Sequence, residues 1–363
     1  MADDPGQISL HELQLATRNH GTPLEVLRSP VTPIGLHYLL IHYDIPDVDI
    51  ADWQLHVAGC VSTPLQLSLD DVRSRERFSE TVTMECAGNG RALMQPRPLS
   101  QPWLQEAVGT AQWTGIRLSA LLEDAGLAAD AVDVVFSGLD RGIDGGIEQN
   151  YERSLSVDDA RRPETLLAYE MNGAPLLAQH GAPLRLVTPG WYGMTNVKWL
   201  SHITVLDRPF TGYQQVHSYT FRATHDDAGT PLSRILPRAL MVPPGIPDFY
   251  TRQRILPLGP CRLQGRAWSG WEAITGVDVS TDGGSTWDRA DVDPPELGQW
   301  AWQSWMYEWK PSHAGEHILC CRARDAAGHD QADAPAWNVG GYVNPAPQRV
   351  HVTVRDGDRG STT

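Results

Sequence analysis

At Pro243–Pro247 the chain reads PPGIP, and the sequence on its two sides follows different patterns. Proline fixes φ and removes a backbone donor, so three prolines and a glycine in five residues continue neither a helix nor a central strand. Beyond this point the pattern is all-β. Gly276–Val292 reads GVDVSTDGGSTWDRADV, two alternating runs joined by Asp-Gly-Gly, which predicts a hairpin. Glu316–Arg324 and Gln348–Val354 alternate in the same way. About 100 residues of short strands and turns predict an immunoglobulin-like sandwich. The chain has 363 residues, enough for two cores, so domains are expected at 1–240 and 241–363.

The first part mixes periods. Residues 53–59 (WQLHVAG) alternate as a strand. Ser68-Leu-Asp-Asp71 has the form of a capping box and predicts a short helix through Arg75. Thr81–Met84 reads as a strand running into a glycine-rich loop, Cys86–Arg91. A second helix is expected from Ser119, closed by Gly126 beyond its C-terminus. Val132–Ser137 is an apolar strand, and Ser156–Asp159 repeats the capping pattern. Pro183–Val187 and Val197–Val205 read as strands around a Gly/aromatic loop, and residues 1–30 as an arm or loop. With no regular strand–helix–strand repeat, the pattern favours α+β over a doubly wound sheet.

The formal charge is 29 − 44 = −15, which argues against nucleic acid or an anionic membrane surface as partner. No run of about 18 apolar residues is present, so no membrane span is expected. The opening MADDPGQISLHEL lacks a basic then apolar leader, so a cytoplasmic location is expected, or a periplasmic one after removal of a leader. Five cysteines without a C-x-x-C pair speak against a disulfide framework or a zinc ribbon. Cys320 and Cys321 fall on opposite faces of a strand and read as core. The tryptophan-rich run Gln299–Trp309 alternates as a strand suited to sandwich core or a dimer surface.

Cys86 is the residue to which the chemistry points. It follows a strand, sits among glycines, and has Arg91 five residues on; a nearby cation favours thiolate, the nucleophilic and metal-binding form. A buried structural cysteine fits the same spacing, and a soft thiolate suits several metals.

TVTMECAGNGR around Cys86 resembles the cysteine loop of the sulfite oxidase family of molybdenum-cofactor oxidoreductases. The resemblance runs in order over residues 15–355. RNH at Arg18–His20 resembles the family's cofactor-binding arm, GLD at Gly138–Asp140 its next cofactor motif, and Tyr151–Leu155 its catalytic-tyrosine segment. Leu166–Leu200 follows its longest signature, and WSG, VDVSTDGGSTW and WNVGGYVN resemble its dimerisation domain. The resemblance implies molybdenum held by a molybdopterin (pyranopterin) dithiolene and by Cys86. It implies cofactor contacts from Arg18, Asn19, His20, Asp140, His180, Arg185, Asn196, Val197 and Lys198. It implies a substrate pocket of Arg91, Arg18, Tyr151 and Trp103, the last at a shorter spacing from the cysteine than in the family. The implied reaction is oxidation of sulfite to sulfate, in a homodimer, with electrons passed to an external acceptor such as a cytochrome. No C-x-x-C-H or cytochrome segment is present, so no haem is expected. Two positions depart from the family: Gly340 stands where animal sulfite oxidases carry an arginine, and Gly90 replaces an arginine commonly found before the one matched by Arg91. These losses leave room for weaker sulfite binding, for a sulfoxide reductase, or for a sulfur-pathway dehydrogenase subunit.

Overall fold

A computed structural model describes residues 8–356. The first seven residues, on which part of the leader reading rests, lie outside them. Three sheets carry the architecture. One holds strands in the order Leu65–Ser68, Gln54–Gly59, Leu200–Leu206, Asp133–Asp144 and Ile147–Ser156, with Gln54–Gly59 and Leu200–Leu206 parallel. A second runs Phe78–Glu85, Val108–Arg117, Leu166–Met171 and Ala174–Pro175, and Arg185–Val187 also pairs with Leu166–Met171. The third has nine strands and begins with Arg238–Met241, which pairs with Cys261–Trp268.

Helices are few and short. Among the described residues the longest is Leu118–Ala125, eight residues closed by Gly126 in the left-handed conformation. It starts one residue before Ser119, because Arg117 and not Ser119 takes the extended N-cap backbone. The Ser68 capping box forms over Leu69–Arg73. A further helix, Leu10–Ala16, occupies part of the expected arm, and a Ser9–Glu12 capping box starts it. No helix among the described residues is long and apolar enough to cross a membrane.

The hairpin at Ile274–Ser280 and Asp288–Val292 forms in register, with Val277 opposite Ala290. Trp305, Trp309, Leu319 and Cys321 fill the core of the nine-stranded sheet. Another core packs Trp113, Val82, Met84 and Trp103 around Cys86. The largest core joins both units, since Trp268, Trp302 and Tyr342 pack with Leu55, Phe136 and Leu200. That shared core holds the cysteine loop against the second unit.

Candidate functional site

The strand Phe78–Glu85 is exposed at its start and buried at its end, so it delivers Cys86 into the interior. The Cys86 amide donates to the Ala107 carbonyl at 2.9 Å. The chain then turns tightly: Asn89 N–H donates to Cys86 O at 2.9 Å and Arg91 N–H to Gly88 O at 3.0 Å. Gly90 has φ +89°, a conformation costly for a side-chain-bearing residue. The second unit grips this loop. Asn344 Nδ2 donates to Gly90 O at 2.8 Å, and Val343 N–H to Ala87 O at 2.8 Å. Glu85, beside the cysteine, accepts from Asn89 and Arg238 through one oxygen and from Trp268 through the other, each at 2.9 Å.

Cys86 opens into a cavity of about 630 Å³ counting its mouth. Asp140, Tyr151, His180, Arg185, Asn196 and Lys198 share that lining. Asp140 gets there through an irregularity in the pairing of Asp133–Asp144, which shifts register between Ser137 and Arg141. Arg185 donates to the His180 and Asn196 carbonyls at 3.0 and 3.1 Å and lies 4.7 Å from the Trp113 ring centroid. Lys198 donates to the Leu40 and Gln179 carbonyls at 2.8 and 3.3 Å. Tyr151 donates to Met194 O at 2.7 Å.

Burial dominates the electrostatics. It pushes the Cys86 thiol up, opposed by the Arg91 charge, the Gly88 amide and the Trp103 indole. It lowers His180 to about 3, helped by His37, Arg185 and Lys198, and lowers Arg185 to about 10. Asp140 is raised and Lys198 lowered by the same desolvation, each partly rescued by the other's charge. Two buried polar atoms of the lining residues, Asp140 Oδ1 and Arg185 Nε, have no partner among the described residues. A sealed, unpaired polar atom costs about 1–3 kcal/mol, so the two together mark a place where a polar group belongs.

Six of the expected residues do not line this cavity. Arg18 lies at the surface, pairing with Asp44 at 3.1 Å and donating to Tyr43 O. Asn19 is a buried cross-link between Leu15, Ile41 and Gln101, and His20 is exposed in a bridge with Leu39. The chain instead brings Leu40 and His42 to the cavity, so the RNH motif was matched too early. Val197 turns into the core. Trp103 is buried beside Cys86 without reaching the lining. Arg91 donates to the Gly340 and Gln101 carbonyls at 2.8 and 3.1 Å and lies 5.0 Å from the Tyr342 ring centroid. A Cβ on Gly88 would stand 2.6 Å from two guanidinium nitrogens, so a side chain there would displace the Arg91 head group from its present place. His37, Tyr38, His42 and Tyr219 line the cavity and were not foreseen. The His/Tyr-rich run HYLLIHY at His37–Tyr43 was a usable signal; Tyr219, in a proline-rich connection, carried none.

Comparison with known proteins agrees over most of the chain. Residues 42–214 match the model of the oxidoreductase molybdopterin binding domain, and residues 251–355 that of the Mo-co oxidoreductase dimerisation domain. The first match begins at His42 and leaves Arg18–His20 outside. Mitochondrial sulfite oxidase of Homo sapiens is 36% identical over 93% of this chain, and sulfite oxidase of Gallus gallus 34% over 91%. The chain covers 64% of the human protein and 75% of the chicken one. The crystal structure of the sulfane dehydrogenase SoxCD from Paracoccus pantotrophus superposes with a TM-score of 0.79, covering 98% of this chain and 95% of that one at 24% identity.

Proposed function

The chain belongs to the sulfite oxidase family of molybdenum-cofactor oxidoreductases, and we propose that it oxidises sulfite to sulfate and passes the electrons to an external acceptor. One observation carries the reading: Cys86 shares a cavity with Asp140, His180, Arg185 and Lys198, and that lining leaves buried polar atoms without partners. This donor set suits a molybdopterin. A soft thiol is a ligand for molybdenum, buried cations neutralise a phosphate, and carboxylate and amide groups meet the pterin edges. In this reading Cys86 ligates the metal, Arg185, Lys198 and His180 hold the phosphate end, and Asp140 and Asn196 face the pterin. When bound, the group supplies oxo transfer and two-electron redox chemistry. The chain's own residues supply position and field. Arg91, fixed by two carbonyls, sets the charge beside Cys86. Tyr151, fixed on Met194 O, forms a rigid wall of the substrate side. The C-terminal unit we read as an immunoglobulin-like domain that pairs two copies of the chain, in line with its match to a dimerisation domain.

A second reading has its own observation. Arg91 is engaged by backbone carbonyls and Arg18 lies at the surface, so the substrate side has fewer free cations than an anion pocket needs. That suits a neutral sulfoxide being reduced, or sulfur presented by a carrier as for a sulfane dehydrogenase. The test is to measure molybdenum in the purified protein and to assay sulfite with ferricyanide. About one molybdenum per chain with saturable sulfite turnover supports the first reading. Full loading, no sulfite turnover, and reduction of a sulfoxide with a viologen donor would replace it by the second.

A further inference from the structure

Two segments carry the cavity wall directly out to the surface. Asp140 lines the cavity, and three residues further along the same strand Ile143 is 74% exposed. His42 lines it too, and three residues further on Ile45 is 41% exposed. Three residues of chain span at most about 11 Å, so both isoleucines stand close outside the cavity. Gly145 and Gly146, with φ +57° and +78°, close the hairpin in a tight two-residue turn. Beyond the turn Ile147, paired with Asp144, is 57% exposed. The two segments pack side by side. A Cβ on Gly142 would come within 2.2 Å of the Tyr43 ring, and the Gln214 amide donates to Tyr43 Oη at 2.9 Å and to Asp144 Oδ2 at 3.3 Å. Carboxylates accompany the isoleucines: Asp44, Asp47, Asp144 and Glu148. Arg141 is the only arginine or lysine in residues 42–52 and 139–150, and it pairs with Glu148 at 2.9 Å. Arg18, which reaches the same place, pairs with Asp44. One exposed isoleucine is ordinary; three on two packed segments, set among carboxylates, make an apolar centre with an acidic rim.

We propose that the face bearing Ile45, Ile143 and Ile147 docks a soluble electron-carrier protein whose own face is basic around an apolar centre. This rests on reading the cavity as a redox site that passes electrons to an external acceptor. Sulfite and water yield sulfate, two protons and two electrons, so two oxidised one-electron carriers are each reduced once per turnover. Each must come close to the cavity, because electron transfer through protein weakens steeply with distance. The two segments offer that approach, since each runs from a lining residue to an exposed isoleucine in three steps. Charge selects the partner. Carboxylates attract a basic carrier and orient it before contact, and the isoleucines then exclude water at the centre of the contact. The tight turn holds Ile143 and Ile147 in place before the partner arrives, which lowers the entropy lost on docking. An acidic carrier would be repelled, as the net charge of −15 already implies.

The test runs the molybdenum-loaded protein on sulfite with two oxidants: a basic cytochrome c, and ferricyanide, a small anion that needs no docking face. Ile143→Ser combined with Ile147→Ser should raise the KM for cytochrome c about 10-fold and leave ferricyanide turnover, sulfite KM and molybdenum content within about twofold. Wild-type kcat/KM for cytochrome c should fall about fivefold between about 0.01 and 0.15 M salt, and Asp44→Asn with Asp47→Asn should flatten that fall. An unchanged KM for cytochrome c in both pairs of substitutions would overturn the docking face. So would a wild type that reduces ferricyanide and not cytochrome c, or an equal loss with both oxidants, which would tie the isoleucines to the cavity itself. If Ile143→Ser with Ile147→Ser turns a dimer into monomers in the ultracentrifuge, the face belongs to a second copy of the chain and the proposal falls. A loaded wild type inactive on sulfite with ferricyanide would sink the proposed function instead. Calorimetric titration with oxidised cytochrome c then decides the docking face: binding at low salt that weakens about 10-fold in the double variant supports it, and no binding or equal binding overturns it.

Discussion

His37 and His180 meet edge to face, 6.0 Å apart, inside the cavity wall. Burial, chiefly, holds His37 at about 4 and His180 at about 3. In the unfolded chain both take up protons below about 6.5. Between 6.5 and 4 the unfolded state therefore binds more protons, and stability falls as the pH drops through that window. Cofactor-free protein should lose on the order of 2–4 kcal/mol from these two groups between pH 7 and 5. Urea unfolding at both pH values checks this; His37→Gln should show a smaller drop, and equal drops would remove the histidine from the account. Cys86→Ser should fold, with an unfolding midpoint near wild type, and should show no turnover; wild-type rates at full molybdenum would end the ligand assignment. Legibility differs sharply among these residues. Cys86, Asp140, His180 and Arg185 each sit inside a short motif that set them apart in the sequence, and all four line one cavity. Arg18 could not be placed, because the tripeptide RNH says nothing about which of two nearby segments reaches the cavity. Only the tertiary fold sets Arg18 against Asp44 and brings His42 inward.

The strand that ends at Glu85, just before Cys86, is joined to the second unit by a buried ion pair. Arg238 Nη1 meets Glu85 Oε1 at 2.9 Å and also donates to Asn344 O at 3.0 Å. Both side chains are almost fully buried. Removing one partner leaves the other charge sealed without its complement, which costs about 3–5 kcal/mol. Arg238→Met should therefore destabilise by about that amount, and adding Glu85→Gln should restore a large part of it. Urea unfolding of the two variants decides: a single variant as stable as wild type would show that the pair does not hold the loop in place. At this scale local signals served well where they were strong. The Ser68 capping box and the Asp-Gly-Gly hairpin form as the sequence indicates. The Ser9–Glu12 box starts a seven-residue helix inside the segment expected to be an arm or loop. Val197–Trp199 did not join the following strand: the Val197 carbonyl accepts from Leu186, and Lys198 turns its ammonium to the carbonyls of Leu40 and Gln179.

For the molecule as a whole, the proline-rich stretch Pro243–Pro247 follows the first strand of the nine-stranded sheet, Arg238–Met241, and ends in a two-residue edge strand of the same sheet, Ile246–Pro247; alternation and turns are written locally. The packing of the two units is not local. Trp268 and Tyr342 joining a core of first-unit residues depends on faces that no single segment reveals. Net charge, by contrast, needs no fold. At −15 the chain repels a sulfite dianion at long range, and the cations near the site act over short distances. The Debye length falls from about 30 Å at 0.01 M salt to about 8 Å at 0.15 M. Screening therefore removes more of the distant repulsion than of the local attraction. If sulfite is the substrate, kcat/KM should rise about two- to fivefold over that range while kcat stays nearly constant. A neutral sulfoxide feels neither field, so its kcat/KM should stay flat. A fall in sulfite kcat/KM with salt would mean that cations at the cavity mouth govern the encounter, and would return Arg91 or Arg18 to the substrate's path.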